Sequence, residues 1–118
     1  MRTFRLTENE LRPGCRQIEI EGDLDLAVAD RLREAIDASS GYSQVLIDLE
    51  RCEFLDSTGI AVIVQAYREM ADSGRKLAIC APTGQVLRVL AVTGLTGNGL
   101  VFQTADEAKD ASGLLASG

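Results

Sequence analysis

Apolar and polar residues alternate in the first part of the chain, where Gln17-Ile18-Glu19-Ile20-Glu21 places an apolar side chain at every second position. This spacing predicts a strand over residues 16–21 with one face toward solvent. Residues 2–6 form another strand-like segment, and Pro13-Gly14 between the two segments is a turn former. The pattern therefore predicts a β-hairpin at the start of the fold.

Helices and strands are predicted to alternate in the rest of the chain. Apolar residues four positions apart, such as Val28, Leu32 and Ile36, indicate helices, and short apolar runs indicate strands. The predicted helices cover residues 27–38, 57–73, 84–93 and 104–115, and the further strands cover residues 45–49, 77–80 and 100–102. Helices between strands predict an α/β domain with right-handed crossovers and a sheet covered by helices.

The last two predicted helices carry specific expectations. Thr83 is expected to cap the first of them, which ends at Gly94 and buries Val86, Leu87, Leu90 and Ala91. Thr104 and Glu107 fit a capping box, in which each side chain satisfies a free backbone N–H group at the start of a helix.

Composition excludes several classes of function. The chain of 118 residues has the length of one domain, a net charge of −6 and no histidine. Negative charge repels a nucleic-acid backbone, and the lack of histidine removes the commonest general base and metal ligand. No run of about 18 apolar residues and no hydrophobic leader occurs, so we expect a cytoplasmic protein without a membrane span. Cys15, Cys52 and Cys80 are far apart and are expected to be buried thiols.

The segment Asp56-Ser57-Thr58-Gly59 lies where an apolar strand gives way to a predicted helix. A serine at this junction is close to the unpaired N–H groups of the first helical turn. A phosphate attached there would face the positive end of the helix dipole. Ser57 is therefore either an ordinary helix cap, which its position alone favours, or a phosphorylation switch.

The helix after Ser57 has an unusual distribution of apolar residues. At about 100° per residue, one side holds the expected core stripe of Ile60, Ile63, Val64, Tyr67, Met70 and Ala71. Val62 falls among the polar residues of the other side, and Ala61 and Ala66 lie at the margins. This arrangement predicts either a docking patch for a partner beside Ser57 or a contact between Val62 and a neighbouring loop.

Three segments in this order and spacing resemble the STAS domain, the sulfate-transporter and anti-sigma-factor-antagonist module. The segments are Gly22-Asp23-Leu24-Asp25-Leu26-Ala27, Ile47-Asp48-Leu49 continued through Phe54-Leu55-Asp56-Ser57-Thr58-Gly59, and Val92-Thr93-Gly94-Leu95. The similarity covers nearly the whole chain, so residues 1–118 are expected to form a single STAS domain. The one departure is Gly97-Asn98-Gly99, which is richer in glycine than the usual connection into the last strand.

The resemblance implies both a fold and a function. The fold is a mixed, mostly parallel sheet of about four to five strands, covered by about four helices, with the first strand antiparallel to its neighbour. The short length is similar to that of bacterial anti-sigma factor antagonists. In that family the serine matching Ser57 is phosphorylated by a serine kinase that is also the anti-sigma factor. The unphosphorylated antagonist binds this kinase and frees the sigma factor, and a serine phosphatase reverses the modification.

Acidic residues are expected to surround Ser57. If the strands before them are parallel neighbours, Asp23, Asp25 and Asp56 share one edge of the sheet. Each aspartate is either a cap or turn former or a member of a polar rim that positions the partner, and Asp56 is also placed to orient the Ser57 hydroxyl. The predicted partner-binding residues are Asp23, Asp25, Asp56, Ser57, Thr58, Gly59, Ala61 and Val62.

Rival functions lack essential residues. A receiver-type phospho-acceptor at Asp48 or Asp56 needs a lysine near the end of the sheet, and neither Lys76 nor Lys109 is well placed. Hydrolysis by a serine nucleophile lacks a histidine base, and no Gly-x-x-x-x-Gly-Lys loop is present for a nucleotide. We therefore expect no enzyme activity, no cofactor and no metal. A STAS domain that serves a larger signalling or transporter assembly without phosphorylation remains the alternative function.

Overall fold

The computed structural model describes residues 4–96, 100–104 and 106–108. The elements are β1 (Arg5–Arg12), β2 (Cys15–Leu24), α1 (Ala29–Asp37), β3 (Gln44–Leu55), α2 (Ser57–Asp72), β4 (Lys76–Cys80), α3 (Gly84–Val92) and β5 (Val101–Phe102). Residues 106–108 are also helical. Within the described residues, no helix is long and apolar enough to cross a lipid bilayer.

The five strands form one sheet in the order β1-β2-β3-β4-β5. β1 pairs antiparallel with β2, and every other pairing is parallel. The α/β class, the mixed and mostly parallel sheet and the antiparallel first strand are therefore confirmed. The hairpin around Pro13-Gly14 is confirmed as well, but β1 covers Arg5–Arg12 and so continues past the predicted end at Leu6, while the predicted residues 2–3 lie outside the described residues. An edge strand tolerates charged side chains, so its polar second half left no hydrophobic signal in the sequence.

The main core lies on the sheet face that carries α1, α2 and α3. It joins Ile18 and Ile47 of the strands to Leu32, Ile63 and Leu90, one from each of these helices. A smaller cluster on the opposite face consists of Cys15, Leu46, Ala78, Cys80 and Ala108. The sheet is therefore covered most completely on the face toward the three helices.

β3 is longer than predicted, because it continues past Leu49 to Leu55. Its pairing with β2 shifts between Glu19 and Glu21 and again between Gly22 and Asp23, and each shift inserts one additional residue into β3. These two bulges bury Leu49, Cys52 and Leu55 at intervals of three residues, a spacing that is not typical of a regular strand. As a result, only Asp56 separates β3 from α2.

α2 and α3 are rotated relative to the predicted core stripes. The buried residues of α2 are Gly59, Ile63, Ala66 and Met70, so Ala66 is in the core whereas the predicted core residue Ala71 is exposed. Small residues allow close packing, and a pattern based on large apolar side chains does not detect them. In α3, Val86 and Leu90 are buried as expected, but Leu87 and Ala91 are exposed.

The capping interaction at residue 104 is present. Thr104 Oγ1 accepts a hydrogen bond from the Glu107 backbone N–H at 3.1 Å, and Glu107 Oε2 accepts one from the Gln103 backbone N–H at 3.2 Å. The predicted continuation of this helix to residue 115 lies outside the described residues, as does Gly97-Asn98-Gly99.

Candidate functional site

Asp56 caps the N-terminus of α2. Its Oδ1 atom accepts hydrogen bonds from the backbone N–H groups of Thr58 at 3.0 Å and Gly59 at 3.1 Å. Aspartate is among the favoured capping residues, and its negative charge lies at the positive end of the helix dipole. The interpretation of Ser57 as the cap is therefore wrong by one position, and Ser57 is the first residue of the helix.

The second carboxylate oxygen of Asp56 holds the loop that follows β2. Oδ2 accepts a hydrogen bond from the Leu26 backbone N–H at 3.2 Å, and the Asp56 N–H donates to the Leu24 carbonyl oxygen at 3.3 Å. The ends of β2 and β3 therefore share one edge of the sheet, as the sequence predicted. The carboxylate organises the backbone by accepting from three N–H groups, and among the described residues no hydrogen bond joins it to the Ser57 hydroxyl.

The Ser57 side chain is exposed, and its hydroxyl has no hydrogen-bond partner among the described residues. Thr58, the neighbouring hydroxyl residue, is half-buried. Of the two, the Ser57 hydroxyl is the more open to the active site of another protein. It also lies beside the N-terminal N–H groups of α2, where an attached anion is favoured.

Gly59 brings the start of α2 against the ends of both strands. A Cβ atom at this position would lie 2.8 Å from Leu55 Cδ1 and 3.0 Å from both Leu24 Cγ and the Leu24 carbonyl oxygen. Real Cβ contacts are longer than this, so any side chain would push α2 away from the sheet. Gly59 is buried and acts by placing Ser57 close to the strand ends.

The two other aspartates have different surroundings. Asp25 Oδ1 accepts a hydrogen bond from the Ala27 N–H at 3.1 Å, so Asp25 forms the turn that leads into α1. Asp23 is half-buried near the end of β2, where it lies in register with Phe54 of β3. Both lie on the sheet edge that carries Asp56.

Apolar side chains are also exposed at this edge. Leu26 is 74% exposed, and Phe54 is 37% exposed. Ala61 is exposed as predicted, whereas Val62 is half-buried and packs against the main core. Val62 is thus at the margin of the buried stripe and not amid the polar side of α2. Sequence analysis missed Leu26, although an apolar residue inside a predicted turn was a usable signal.

The sequence model of the STAS domain family matches residues 7–108. The chain belongs to the STAS domain family. The anti-sigma F factor antagonist of Paenibacillus polymyxa is 29% identical over 91 residues, which cover 75% of this chain and 78% of that protein. The resemblance that the sequence motifs suggested is therefore confirmed.

Solved structures with the same fold include an anti-sigma factor antagonist and a sulfate transporter family protein. The anti-sigma factor antagonist SpoIIAA in its unphosphorylated form has a TM-score of 0.76 at 22% identity, over 93% of this chain and 96% of that one. SpoIIAA in the phosphorylated form has a TM-score of 0.71 at 21% identity, over 93% and 99%. A sulfate transporter family protein from Wolinella succinogenes has a TM-score of 0.76 at 22% identity, over 93% of each chain. At these identities the likeness shows the fold alone.

The described part of the STAS domain does not bring together the residues of a metal site or of a receiver-type phospho-acceptor. No group of three or more Cys, Asp or Glu residues there could hold a metal ion. Asp48 is in register with Cys80 at the end of β4, whereas Lys76 is at the beginning of that strand, about 13 Å away along it. Asp48 instead accepts hydrogen bonds from the Gln17 side chain and from the Glu50 N–H, both at 3.0 Å.

The three cysteines are buried thiols and form no disulfide, as predicted. Burial raises the pKa of the Cys52 thiol to about 11 and that of the Cys80 thiol to about 12. Nucleophilic thiol chemistry requires the thiolate, and such sites have lowered pKa values. Cys52 and Cys80 are therefore inert components of the core at neutral pH.

Proposed function

We propose that this STAS domain is an anti-sigma factor antagonist that is switched by phosphorylation of Ser57. In its unmodified form it binds an anti-sigma factor that is also a serine kinase, and this binding releases the sigma factor. The kinase transfers phosphate to Ser57, which ends the interaction, and a serine phosphatase restores the binding form. The observation that carries this proposal is the exposed, unbonded Ser57 hydroxyl on the first residue of a helix that is fixed to both strand ends.

The proposed binding surface combines acidic and apolar groups around Ser57. Asp23 and Asp25 form its polar rim, and Leu26 and Ala61 provide apolar contact area. Thr58 and Val62 lie at its margin, while Asp56 and Gly59 contribute by holding the backbone in place. Tight interfaces contain a few apolar anchors surrounded by polar groups, and this edge of the sheet has that composition.

Phosphorylation would switch binding through charge. A phosphate adds about −1.5 to −2 charges beside Asp56, and the helix N-terminus offsets part of the unfavourable energy by about 0.3–1 kcal/mol. The fold therefore tolerates the modification. Burying the same dianion against a partner surface that fits a hydroxyl costs a few kcal/mol, and about 1.4 kcal/mol corresponds to a tenfold loss of affinity.

The proposed role is that of a substrate and binding partner and not of an enzyme. It requires no cofactor or metal in this domain, no nucleic acid and no membrane, and it takes place in the cytoplasm, where sigma factors act. The 29% identical relative named anti-sigma F factor antagonist supports the assignment.

A second candidate is a STAS module that assembles a larger signalling or transporter complex without phosphorylation. A sulfate transporter family protein has the same fold, so the fold is compatible with this alternative. It predicts that Ser57 carries no phosphate in the cell and that substitutions of Ser57 leave assembly unchanged.

The two candidates are distinguished by protein isolated from the source cell. Mass spectrometry of the native protein should find phosphate on Ser57. A kinase that co-purifies should then be identified, prepared separately and incubated with the domain and ATP. Transfer of label to the wild type but not to Ser57→Ala supports the switch. Label on Thr58 in Ser57→Ala shows that the other hydroxyl is the acceptor, and absence of any phosphate favours the assembly module.

A further inference from the structure

The second half of β3 lacks a strand neighbour on one side. β4 pairs with β3 only from Gln44↔Lys76 to Asp48↔Cys80. Directly after this pairing, Ala81 adopts the left-handed conformation with φ 58°, and Pro82 follows. The chain therefore turns away, and within the described residues no strand continues beside residues 49–55 of β3. Unpaired backbone groups in this position need another partner.

The side chain of Gln85 supplies that partner at the end of β3. Its Oε1 atom accepts a hydrogen bond from the Leu55 backbone N–H at 3.1 Å, and its Nε2 atom donates to the Leu55 carbonyl oxygen at 3.3 Å. A carboxamide presents a donor and an acceptor as a peptide group does. Gln85 thus supplies both hydrogen bonds that a neighbouring strand would otherwise give to the Leu55 backbone.

The start of α3 is shaped to place Gln85 there. Gly84, the first residue of the helix, has φ 54°, a left-handed conformation that favours glycine. Thr83 occupies the capping position, but its side chain makes no capping hydrogen bond. The first turn of α3 is therefore held by the hydrogen bonds of Gln85 to β3 and not by a capping hydrogen bond from the Thr83 side chain.

Leu55 directly precedes Asp56, and Asp56 is held on its other side by Leu24 and Leu26. We propose that Gln85 is a positioning residue for Ser57: by pairing with the Leu55 backbone, it fixes the orientation in which Asp56 and Ser57 are presented to the kinase. The kinase step rests on the proposed function, whereas the fixing of Leu55 does not. α3 and the phosphorylation site are then mechanically coupled.

The first test uses the free protein. Gln85→Met keeps the length of the side chain and removes both hydrogen bonds, and Leu87→Ala changes an exposed residue of the same helix as a control. Hydrogen exchange at individual amides is measured by NMR, with the Ile47 amide, in the part of β3 that is paired on both sides, as internal reference. Loss of the hydrogen bond from the Leu55 N–H to Gln85 should accelerate exchange at Leu55 about fivefold to tenfold. Exchange at Ile47 should be unchanged after correction for global stability. Equal effects at Leu55 and Ile47, or no effect at Leu55, overturn the proposal.

A second variant excludes an effect of side-chain size. In Gln85→Glu, the protonated carboxyl can accept from the Leu55 N–H and donate to its carbonyl oxygen, whereas the ionised form has no donor. Glu21, Glu50, Glu53 and Arg51 line the same groove and set the pH of this transition. Exchange at the Leu55 N–H should be close to wild type at low pH. The ionised carboxylate still accepts from this N–H but repels the Leu55 carbonyl oxygen, so protection should fall only partly and stay above that of Gln85→Met. A profile for Gln85→Glu that coincides with that of Gln85→Met at every pH contradicts the pairing.

The third measurement is phosphorylation by the purified kinase. A residue that orients Ser57 affects kcat more than KM, so we expect Gln85→Met to lower kcat about fivefold or more and Leu87→Ala to leave it unchanged. An unchanged kcat overturns the positioning role. If the wild type is never phosphorylated while Leu55 loses protection in Gln85→Met, the proposed function fails, and the fixing of the Asp56 junction by Gln85 is supported.

Discussion

The Oδ2 atom of Asp56 accepts a hydrogen bond from the backbone N–H of Leu26 at 3.2 Å. The residue that caps α2 therefore also fixes the loop that presents a leucine with 74% exposure. Because Ser57 is the next residue, the proposed phosphate acceptor, the helix cap and the proposed apolar contact surface share one backbone junction. A modification of Ser57 would act on all three without a change of fold.

Asp56→Ala should lower the free energy of unfolding by about 1–3 kcal/mol, since it removes a helix cap and the hydrogen bond to Leu26. Asp56→Asn keeps one oxygen acceptor and should lose less than Asp56→Ala. Urea denaturation at pH 7 measures both values. If the two variants are as stable as the wild type, the capping role assigned to Asp56 is wrong.

Ser57→Ala should change stability by less than about 0.5 kcal/mol, because Ser57 is exposed and is not the cap. A capping serine would instead lose about 0.5–2 kcal/mol. Ser57→Asp should be equally stable, because a carboxylate is favoured in the first turn of a helix, but it should bind the kinase more weakly. Thermal melting and a binding titration test both variants. Binding of Ser57→Asp and of the phosphorylated protein with wild-type affinity would contradict the charge switch.

Gly59→Ala should destabilise the domain by about 1–3 kcal/mol, although alanine is the better helix former by about 1 kcal/mol. The new methyl group would lie 3.0 Å from the Leu24 carbonyl oxygen, a backbone atom that cannot rotate away. A matched control is Gly41→Ala, since no atom lies within 4 Å of the added Cβ there. A melting temperature for Gly59→Ala at or above that of Gly41→Ala would show that α2 can move without loss.

The sequence was sufficient to predict the sheet edge but not the details of the junction. Alternation and apolar runs identified β2 and the first half of β3, and parallel neighbours necessarily bring their ends together. Asp56 and Ser57 are both good capping residues, so the choice between them depended on where β3 ends. That end is displaced by two bulges, which the segment Glu50-Arg51-Cys52-Glu53 does not indicate because it lacks alternation.

Leu26 and Gln85 were not identified from the sequence, for related reasons. Leu24 and Leu26 are both apolar, so their side chains alone do not indicate which of them is buried. β2 ends at Leu24, which is buried, and Leu26 is exposed in the loop beyond that end. A glutamine in an amphipathic helix is expected to face solvent. Gln85 faces β3 because β4 ends early, a tertiary feature that involves residues 30 positions apart.

Stability should decrease at alkaline pH through the buried thiols. Burial raises the pKa of Cys52 to about 11, above its value of about 8.5 in an unfolded chain. Between these two pKa values the folded state retains a proton that the unfolded state loses, and this difference favours unfolding. The stability contributed by the buried Cys52 thiol is therefore fully present below about pH 8.5 and is lost as pH rises toward 11. The difference in unfolding free energy between wild type and Cys52→Ala should therefore shrink from pH 8 to pH 10.5. A constant difference would mean that the Cys52 pKa is not raised.

Substitutions of Leu26 and Val62 should show how much each side chain contributes to partner binding and to the stability of the domain. Leu26→Ala should cost less than about 0.5 kcal/mol of stability, because the side chain is 74% exposed, but should weaken partner binding about tenfold if it is an anchor of the interface. Val62→Glu should lose an intermediate amount, about 1–2 kcal/mol, since Val62 is half-buried against the core. Ile63→Glu places a charge in a position with 0% exposure and should unfold the domain. Melting curves and binding titrations on the three variants decide between these roles. Leu26→Ala with wild-type affinity would remove Leu26 from the interface, and Val62→Glu as unstable as Ile63→Glu would make Val62 a core residue only.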